Sequence, residues 1–260
     1  MGTRIRSLTE GLPKEMLSIG GRPMIFYTIL EAVLSGLEEL YIIINSRKDT
    51  LRRYLESEDV KRDIQKGHVK HIPPLRLTFI DQHIPAGSGD AIYRARKLIG
   101  EEPFALMMPD FTLFADTPAL GQLIPLYELF ECDVVGLLLL RGEETMGFGN
   151  VGIVQGEDKE AGIVTVHSMS SKVSNQLFLK EDERILKAVP RWILGDHFFS
   201  YLERTKGEGE WDDTPALQML CTERQVIGKV LNGRGFDAGN PVGFQAAQVF
   251  AAHLDADIER

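Results

Sequence analysis

PMIFYTILEAVLSGLEELYIIIN, Pro23 to Asn45, is the stretch from which the fold follows. Met24, Ile25, Tyr27, Ile29, Leu30, Val33 and Leu34 recur at the spacing of one helix face, with Pro23 near the first turn and Gly36 just past the end. The spacing predicts a helix over 23–35. Leu40-Tyr41-Ile42-Ile43-Ile44 then runs on without a polar break. A short apolar run of this kind reads as a strand covered on both faces, as in parallel sheets.

The same alternation continues outward. Arg47 to Leu55 reads as a short amphipathic helix, and the charged stretch after it holds another around Val60–Gln65. Leu75 to Ile80 reads as a strand, Ser88 to Leu98 as a helix, and Pro103 to Pro109 as a buried strand. Thr117–Phe130 is helical by spacing, Val134–Leu140 is a buried strand, and Phe198–Leu202 is a helical turn. A helix at Thr214–Cys221, a strand at Val226–Leu231 and a helix at Val242–His253 follow. Strands alternating with helices predict an α/β fold, a three-layer α/β/α sandwich around a mixed, mostly parallel sheet.

Composition bounds the function. The chain has 260 residues, 43% of them hydrophobic, enough for a sizeable core. A net charge of −9 argues against nucleic-acid partners, which need a basic surface. Cys132 and Cys221 have no CxxC partner and read as structural thiols of a reducing compartment. With no signal peptide and no apolar run of membrane-spanning length, the expected location is the cytoplasm, with no membrane partner. His68 and His71 sit three apart, but no third ligand is near them in sequence, so a solvated loop is the plainer reading than a metal site.

Four places have the residue types for phosphate chemistry. Gly2-Thr3-Arg4 and Pro13-Lys14-Glu15 combine an open backbone with two cations, although Gly-Thr-Arg alone is more often plain loop. Gly87 and Gly89 introduce the predicted Ser88 helix, whose N-terminus offers free N–H groups; an ordinary strand–turn–helix joint is the alternative. Asp110 ends a buried strand, where α/β sheets place ligands and where Mg²⁺ takes one or two carboxylates plus substrate phosphates; capping is its alternative role. Asp237 lies among glycines in Gly235-Phe236-Asp237-Ala238-Gly239-Asn240, where a turn is the alternative.

Together these pieces resemble a known family. Gly2-Thr3-Arg4, Leu12-Pro13-Lys14-Glu15-Met16-Leu17 and Arg22-Pro23-Met24-Ile25 are similar, in order and spacing, to the N-terminal signature of sugar-nucleotide pyrophosphorylases, and most to the bacterial UTP–glucose-1-phosphate uridylyltransferases. Gln82 to Ala91 resembles that family's Gln-x-x-x-x-Gly-x-Gly-x-Ala element, and Asp110 and Asp237 match its two metal-holding aspartates. The resemblance implies the nucleotide-diphospho-sugar transferase fold, which is Rossmann-like. It implies a single nucleotidyltransferase domain over 1–260, with a nucleotide-binding half at 1–115 and a sugar-facing half with a C-terminal helix at 116–260.

It also implies roles. Arg4 and Lys14 would be catalytic cations. Gly2, Thr3, Glu15, Gln82 and Gly87 would bind the nucleotide, with Gln82 and Gly87 reading the uracil edge. Gly152 takes the place of a glycine that lies over the sugar, with a β-bulge as the equal alternative, and Asp110 and Asp237 would hold Mg²⁺. Lys172 is no match to a family motif: it could replace the missing sugar-phosphate lysine, with a solvated surface lysine as the default. The implied partners are UTP and a sugar 1-phosphate, and a homo-oligomer is left open.

The sequence departs from the family in three places. The family's Gly-Thr-Arg follows a hydrophobic first strand, whereas this sequence opens inside the loop. Where relatives have Glu-Lys-Pro, it has His167-Ser168-Met169-Ser170-Ser171-Lys172, and where they have Gly before Arg-Tyr, it has Pro190-Arg191-Trp192. The implied activity is transfer of uridylyl from UTP to glucose 1-phosphate. The alternatives are a non-catalytic binding protein of the same fold, or an enzyme for dTTP or another sugar.

Overall fold

The computed structural model describes residues 11–45, 49–66, 75–149, 152–171, 180 and 183–258. A hairpin of β1 (Ser18–Ile19) and β2 (Arg22–Pro23) opens them, turning on Gly20 and Gly21 at φ 54° and 73°. Positive φ at both turn positions matches the twist of paired strands and costs glycine little. Helix α1 (Met24–Leu34) follows, then β3 (Glu39–Ile44), α2 (Asp49–Glu56), α3 (Glu58–Lys66) and β4 (Arg76–Asp81). The predicted Ser88 helix is two short helices, α4 (Ser88–Arg94) and α5 (Arg96–Ile99), joined at Ala95. Then come β5 (Phe104–Met107), β6 (Phe111–Phe114), α6 (Ala119–Phe130) and β7 (Asp133–Arg141). The later half adds β8 (Ile153–Asp158), β9 (Ile163–Met169), β10 (Arg184–Leu194), α7 (Phe198–Arg204), α8 (Thr214–Glu223), β11 (Val226–Val230), β12 (Arg234–Asp237) and α9 (Pro241–Ile258).

The main sheet has the order β5-β10-β7-β11-β9-β8. Side chains alternate across it. Val135 and Leu137 of β7 join Trp192, Val226 and the α7–α8 residues in one core, while Val134, Leu138 and Leu140 join Leu120 and Leu123 of α6 in another. A strand buried on both faces needs apolar residues at every position, which is why 134–140 has no polar break. A third core packs α9 on β12 and the first hairpin, and a fourth packs α1, α2 and α3 against β3 and β4.

The sheet is mixed, as expected, but it is not mostly parallel. Among the described ladders only β3–β4 and β7–β11 are parallel; β10 runs antiparallel to β5, β7 and β8, and β9 antiparallel to β8 and β11. The apolar runs report that both faces are covered and say nothing of direction. Short connections, such as the turn at 159–162 between β8 and β9, force antiparallel pairing. β10 comes from the second half of the chain and hydrogen-bonds β5 of the first, so the two halves share one sheet.

Between β3 and β5 runs an apolar groove of about 410 Å³, lined on one side by Leu40 and Ile42 and on the other by Phe104 and Leu106. Among the described residues β3 pairs only with β4, and β5 only with β10. The groove therefore lies along an edge of each strand to which no other described strand is paired. Glu15 lines it too.

Candidate active site

Three charged side chains converge beyond the end of β5. Lys14 lies in a single 3-10 turn, Lys14–Met16, after Pro13. Its ammonium donates to Asp110 Oδ2 at 2.6 Å. Asp110 sits in the turn between β5 and β6, where β5 leaves the core. Asp237 ends β12, which pairs antiparallel with β6 so that Asp237 lies opposite Phe111. The Asp110 carbonyl accepts the Ala238 N–H at 2.7 Å, which ties the two aspartate segments together.

Gly239 measures how close the carboxylates are. A Cβ there would stand 2.8 Å from Asp110 Oδ2 and 3.1 Å from Asp237 Oδ1. Both carboxylates thus face one spot that only a glycine leaves open. Asp237 is held by two backbone donors, Gly239 N–H to Oδ1 and Gly149 N–H to Oδ2, each at 3.0 Å.

The charges are coupled. Burial alone would lower the pKa of Lys14, but the nearby Asp110 carboxylate, with Glu15 and Asp237, raises it above the ordinary lysine value. Burial would likewise raise Asp110, but the charge and hydrogen bond of Lys14, with a further contribution from Arg191, hold it below the ordinary carboxylate value. Both groups are therefore ionised at neutral pH. Among the described residues, two carboxylates thus meet beside one ammonium.

Hard carboxylate oxygens in this number suit Mg²⁺, which takes one or two protein carboxylates and completes its shell with water and substrate phosphate. Among the described residues no group of three or more His, Cys, Asp and Glu side chains could hold a metal by itself. The donor set at Asp110 and Asp237 fits an ion that arrives with phosphate.

A second group of expected residues lies in the turn from β4 to α4. Gln82 donates its side-chain N–H groups to the Gly87 carbonyl at 3.0 Å and to Asp90 Oδ2 at 2.8 Å. Burial would raise Asp90, but hydrogen bonds from Arg94 and Gln82 hold it below the ordinary carboxylate value. A carboxylate that only accepts fixes which end of the Gln82 amide is NH₂. Gly87 has φ 118°, and a Cβ on it would lie 2.2 Å from the Trp211 carbonyl oxygen. Trp211 pairs with this turn through its backbone: Trp211 N–H to the Ala86 carbonyl at 2.7 Å, and Gly89 N–H to the Trp211 carbonyl at 2.8 Å. Glycine is required at 87 on both counts.

The remaining expected residues are placed as follows. Glu15 is buried beside Lys14 and faces the β3–β5 groove. Gly152, at φ 82°, donates to the Ser170 carbonyl and accepts from Ala188 N–H. Gly2, Thr3, Arg4, Lys172 and the pair His68 and His71 lie outside the described residues. Two residues were missed from sequence. Lys187, a buried lysine on β10, has its Nζ 3.8 Å from where a Cβ on Gly152 would stand. Arg191, fully buried on the same strand, pairs with Glu31. A cation inside an apolar strand pattern was the available signal for both.

Comparison with known proteins points the same way. The family profile described as Nucleotidyl transferase matches residues 1–159. A UTP–glucose-1-phosphate uridylyltransferase 1 of Staphylococcus saprophyticus is 30% identical over 94% of this chain and 86% of its own length. A UTP–glucose-1-phosphate uridylyltransferase of Mycoplasma pneumoniae is 29% identical over 97% of this chain and 89% of its own. A solved UDP-glucose pyrophosphorylase, complexed with UDP-glucose, superposes with a TM-score of 0.80 at 28% identity, over 97% of this chain and 95% of that one. With more than half its length matched by the profile, and with relatives and a solved structure alike over nearly its full extent, the chain belongs to the nucleotidyl transferase family.

Proposed function

We propose that the protein joins UTP and glucose 1-phosphate to give UDP-glucose and pyrophosphate. The observation that carries this reading is the meeting of Asp110 and Asp237 at Gly239, with Lys14 bound to Asp110. The names of the relatives support the choice of substrates.

A phosphate oxygen of the sugar 1-phosphate attacks the α-phosphorus of UTP in line. One O–P bond forms, the bond from the α-phosphorus to the bridging oxygen breaks, and pyrophosphate leaves with the electron pair. No proton must move and no covalent enzyme intermediate is needed. Catalysis is then positioning plus neutralisation of phosphate charge. Lys14 supplies one positive charge, released from Asp110 to phosphate as substrate arrives, and Arg4 a second. Asp110 and Asp237 would hold Mg²⁺, which when bound neutralises triphosphate charge and aligns its oxygens.

Base selection follows from the fixed Gln82 amide. Its NH₂ is committed to Gly87 and Asp90, so its carbonyl oxygen is the group offered to a base. An acceptor there suits the N3–H of uracil or thymine and opposes cytosine, which has a lone pair at that atom. On the sugar side we assign Gly152 and Lys172 to the sugar phosphate, with Lys187 as a further cation beside Gly152.

The test is pyrophosphate release from UTP with glucose, galactose and N-acetylglucosamine 1-phosphates, repeated with dTTP and CTP. Release with UTP and glucose 1-phosphate above all other pairs is expected. Silence across the panel would remove the catalytic reading, and a preference for dTTP or another sugar would reassign the substrates.

A further inference from the structure

Arg191 is a fully buried charge, and it is not part of the substrate-facing cluster. It lies on β10, inside a register irregularity between Ala188 and Trp192 that also contains Pro190. Its Nε donates to Glu31 Oε2 at 2.8 Å. One terminal nitrogen donates to the Met108 carbonyl at 2.7 Å and the Pro190 carbonyl at 3.0 Å, and the other to the Phe111 carbonyl at 2.8 Å. Met108 and Phe111 flank the Pro109-Asp110 dipeptide, so one guanidinium grips the turn on both sides of Asp110. The Phe111 ring also lies against it, 5.2 Å from centroid to guanidinium carbon.

Glu31 completes the brace. It lies on α1, and its other oxygen accepts the Leu120 N–H at the start of α6 at 3.1 Å. One carboxylate therefore joins α1, α6 and, through Arg191, the turn between β5 and β6. Burying such a pair is costly, and replacing it with apolar residues of like volume is often neutral or stabilising. Two of the Arg191 donor contacts, to the Met108 and Phe111 carbonyls, converge on a single turn, and that turn bears Asp110. Lysine has neither the planar fork nor the five donors to reproduce them.

We propose that Arg191, oriented by Glu31, is a positioning residue that sets the place of the Asp110 carboxylate opposite Asp237, and thereby the affinity for the divalent ion that accompanies phosphate. This rests on the reading of the site given above.

The test compares the wild type with Arg191→Lys, Arg191→Met and the double variant E31Q/R191M, which removes both charges and avoids leaving one buried alone. Urea unfolding checks that each is folded. The first readout is thermal stabilisation by Mn²⁺ in the presence of inorganic pyrophosphate, which needs neither turnover nor a particular base. The Mn²⁺ concentration for half-maximal stabilisation should rise at least about tenfold in Arg191→Lys and in the double variant, by analogy with the 10–100-fold cost of losing groups that orient metal ligands. The second readout is kinetic: kcat with UTP and glucose 1-phosphate should fall while KM for glucose 1-phosphate stays within about twofold. Mn²⁺ responses in the folded double variant equal to those of the wild type, whether large or nil, would overturn the proposal. A wild type inactive with UTP, but with the Mn²⁺ response lost in the variants, would support the positioning role and count against the substrate assignment alone.

Discussion

Asp110 and Asp237 stand side by side because β6 pairs antiparallel with β12, placing Asp237 opposite Phe111 and the Ala238 N–H on the Asp110 carbonyl. Two carboxylates brought this close repel one another unless cations lie between them, and Lys14, on Asp110, is one such cation.

The space between the carboxylates is open only because residue 239 has no side chain. Gly239→Ala would place a methyl group 2.8 Å from Asp110 Oδ2 and 3.1 Å from Asp237 Oδ1. Pyrophosphate release should fall by about tenfold to a hundredfold, the scale expected from a misplaced catalytic group. Thermal unfolding of the same variant should move by only a few degrees, roughly, since a backbone position at ordinary φ tolerates alanine. Full activity in a folded variant would mean that the gap plays no part in the reaction.

Asp110→Asn keeps the shape and removes the charge. Lys14 then loses its ion pair with Asp110, and one of the two carboxylates we propose for the metal is gone. Turnover should drop by about two orders of magnitude or more, while the circular dichroism spectrum stays that of the wild type. Unchanged turnover would take Asp110 out of the mechanism.

At Gly87 the expected cost falls on stability. Alanine there meets the Trp211 carbonyl, and φ 118° is strained for any residue with a Cβ. Gly87→Ala should destabilise the protein by about 1–3 kcal/mol in urea unfolding. It should also weaken nucleotide binding, because the same turn carries Gln82's partner carbonyl. Wild-type stability would show that the turn relaxes away from Trp211 at no cost.

The first half of the fold was legible because its signals are local. The helix spacing after Pro23 and the unbroken run at Leu40–Ile44 each lie within one element, and α1 and β3 form where they were read. Asp110 was legible for the same reason, as the polar end of a buried run. The pairing of β6 with β12 left no local trace, so nothing in the sequence apart from the family likeness joined Asp110 to Asp237. The pair of Arg191 and Glu31 was invisible for the same reason, spanning 160 positions. Strand direction in the main sheet also escaped, because apolar runs record coverage and not polarity.

Asp213 gives a pH dependence. Burial, with help from neighbouring Asp212, pushes its carboxyl from an ordinary 3.8 up to about 6, although the Ser88 hydroxyl donating to it pulls the other way. Between those two values the folded protein holds a proton that the unfolded chain has released. Stability therefore falls as pH rises from 3.8 to about 6 and falls no further above that. Asp213→Asn stays neutral and can still accept from Ser88. Its stability relative to the wild type should be level near pH 4, grow through pH 6 and hold constant to pH 8, with a final gap on the order of 1–3 kcal/mol. Unfolding curves that shift in parallel at every pH would show that Asp213 does not titrate in this range.

The most direct test of the central claim, that Asp110 and Asp237 share one divalent ion beside the triphosphate, is an Mg²⁺ titration of pyrophosphate release from UTP and glucose 1-phosphate by the wild type and by Asp237→Asn. The variant should need at least about tenfold more Mg²⁺ for half-maximal rate and should reach a lower plateau. Superimposable titrations from two folded proteins would contradict it.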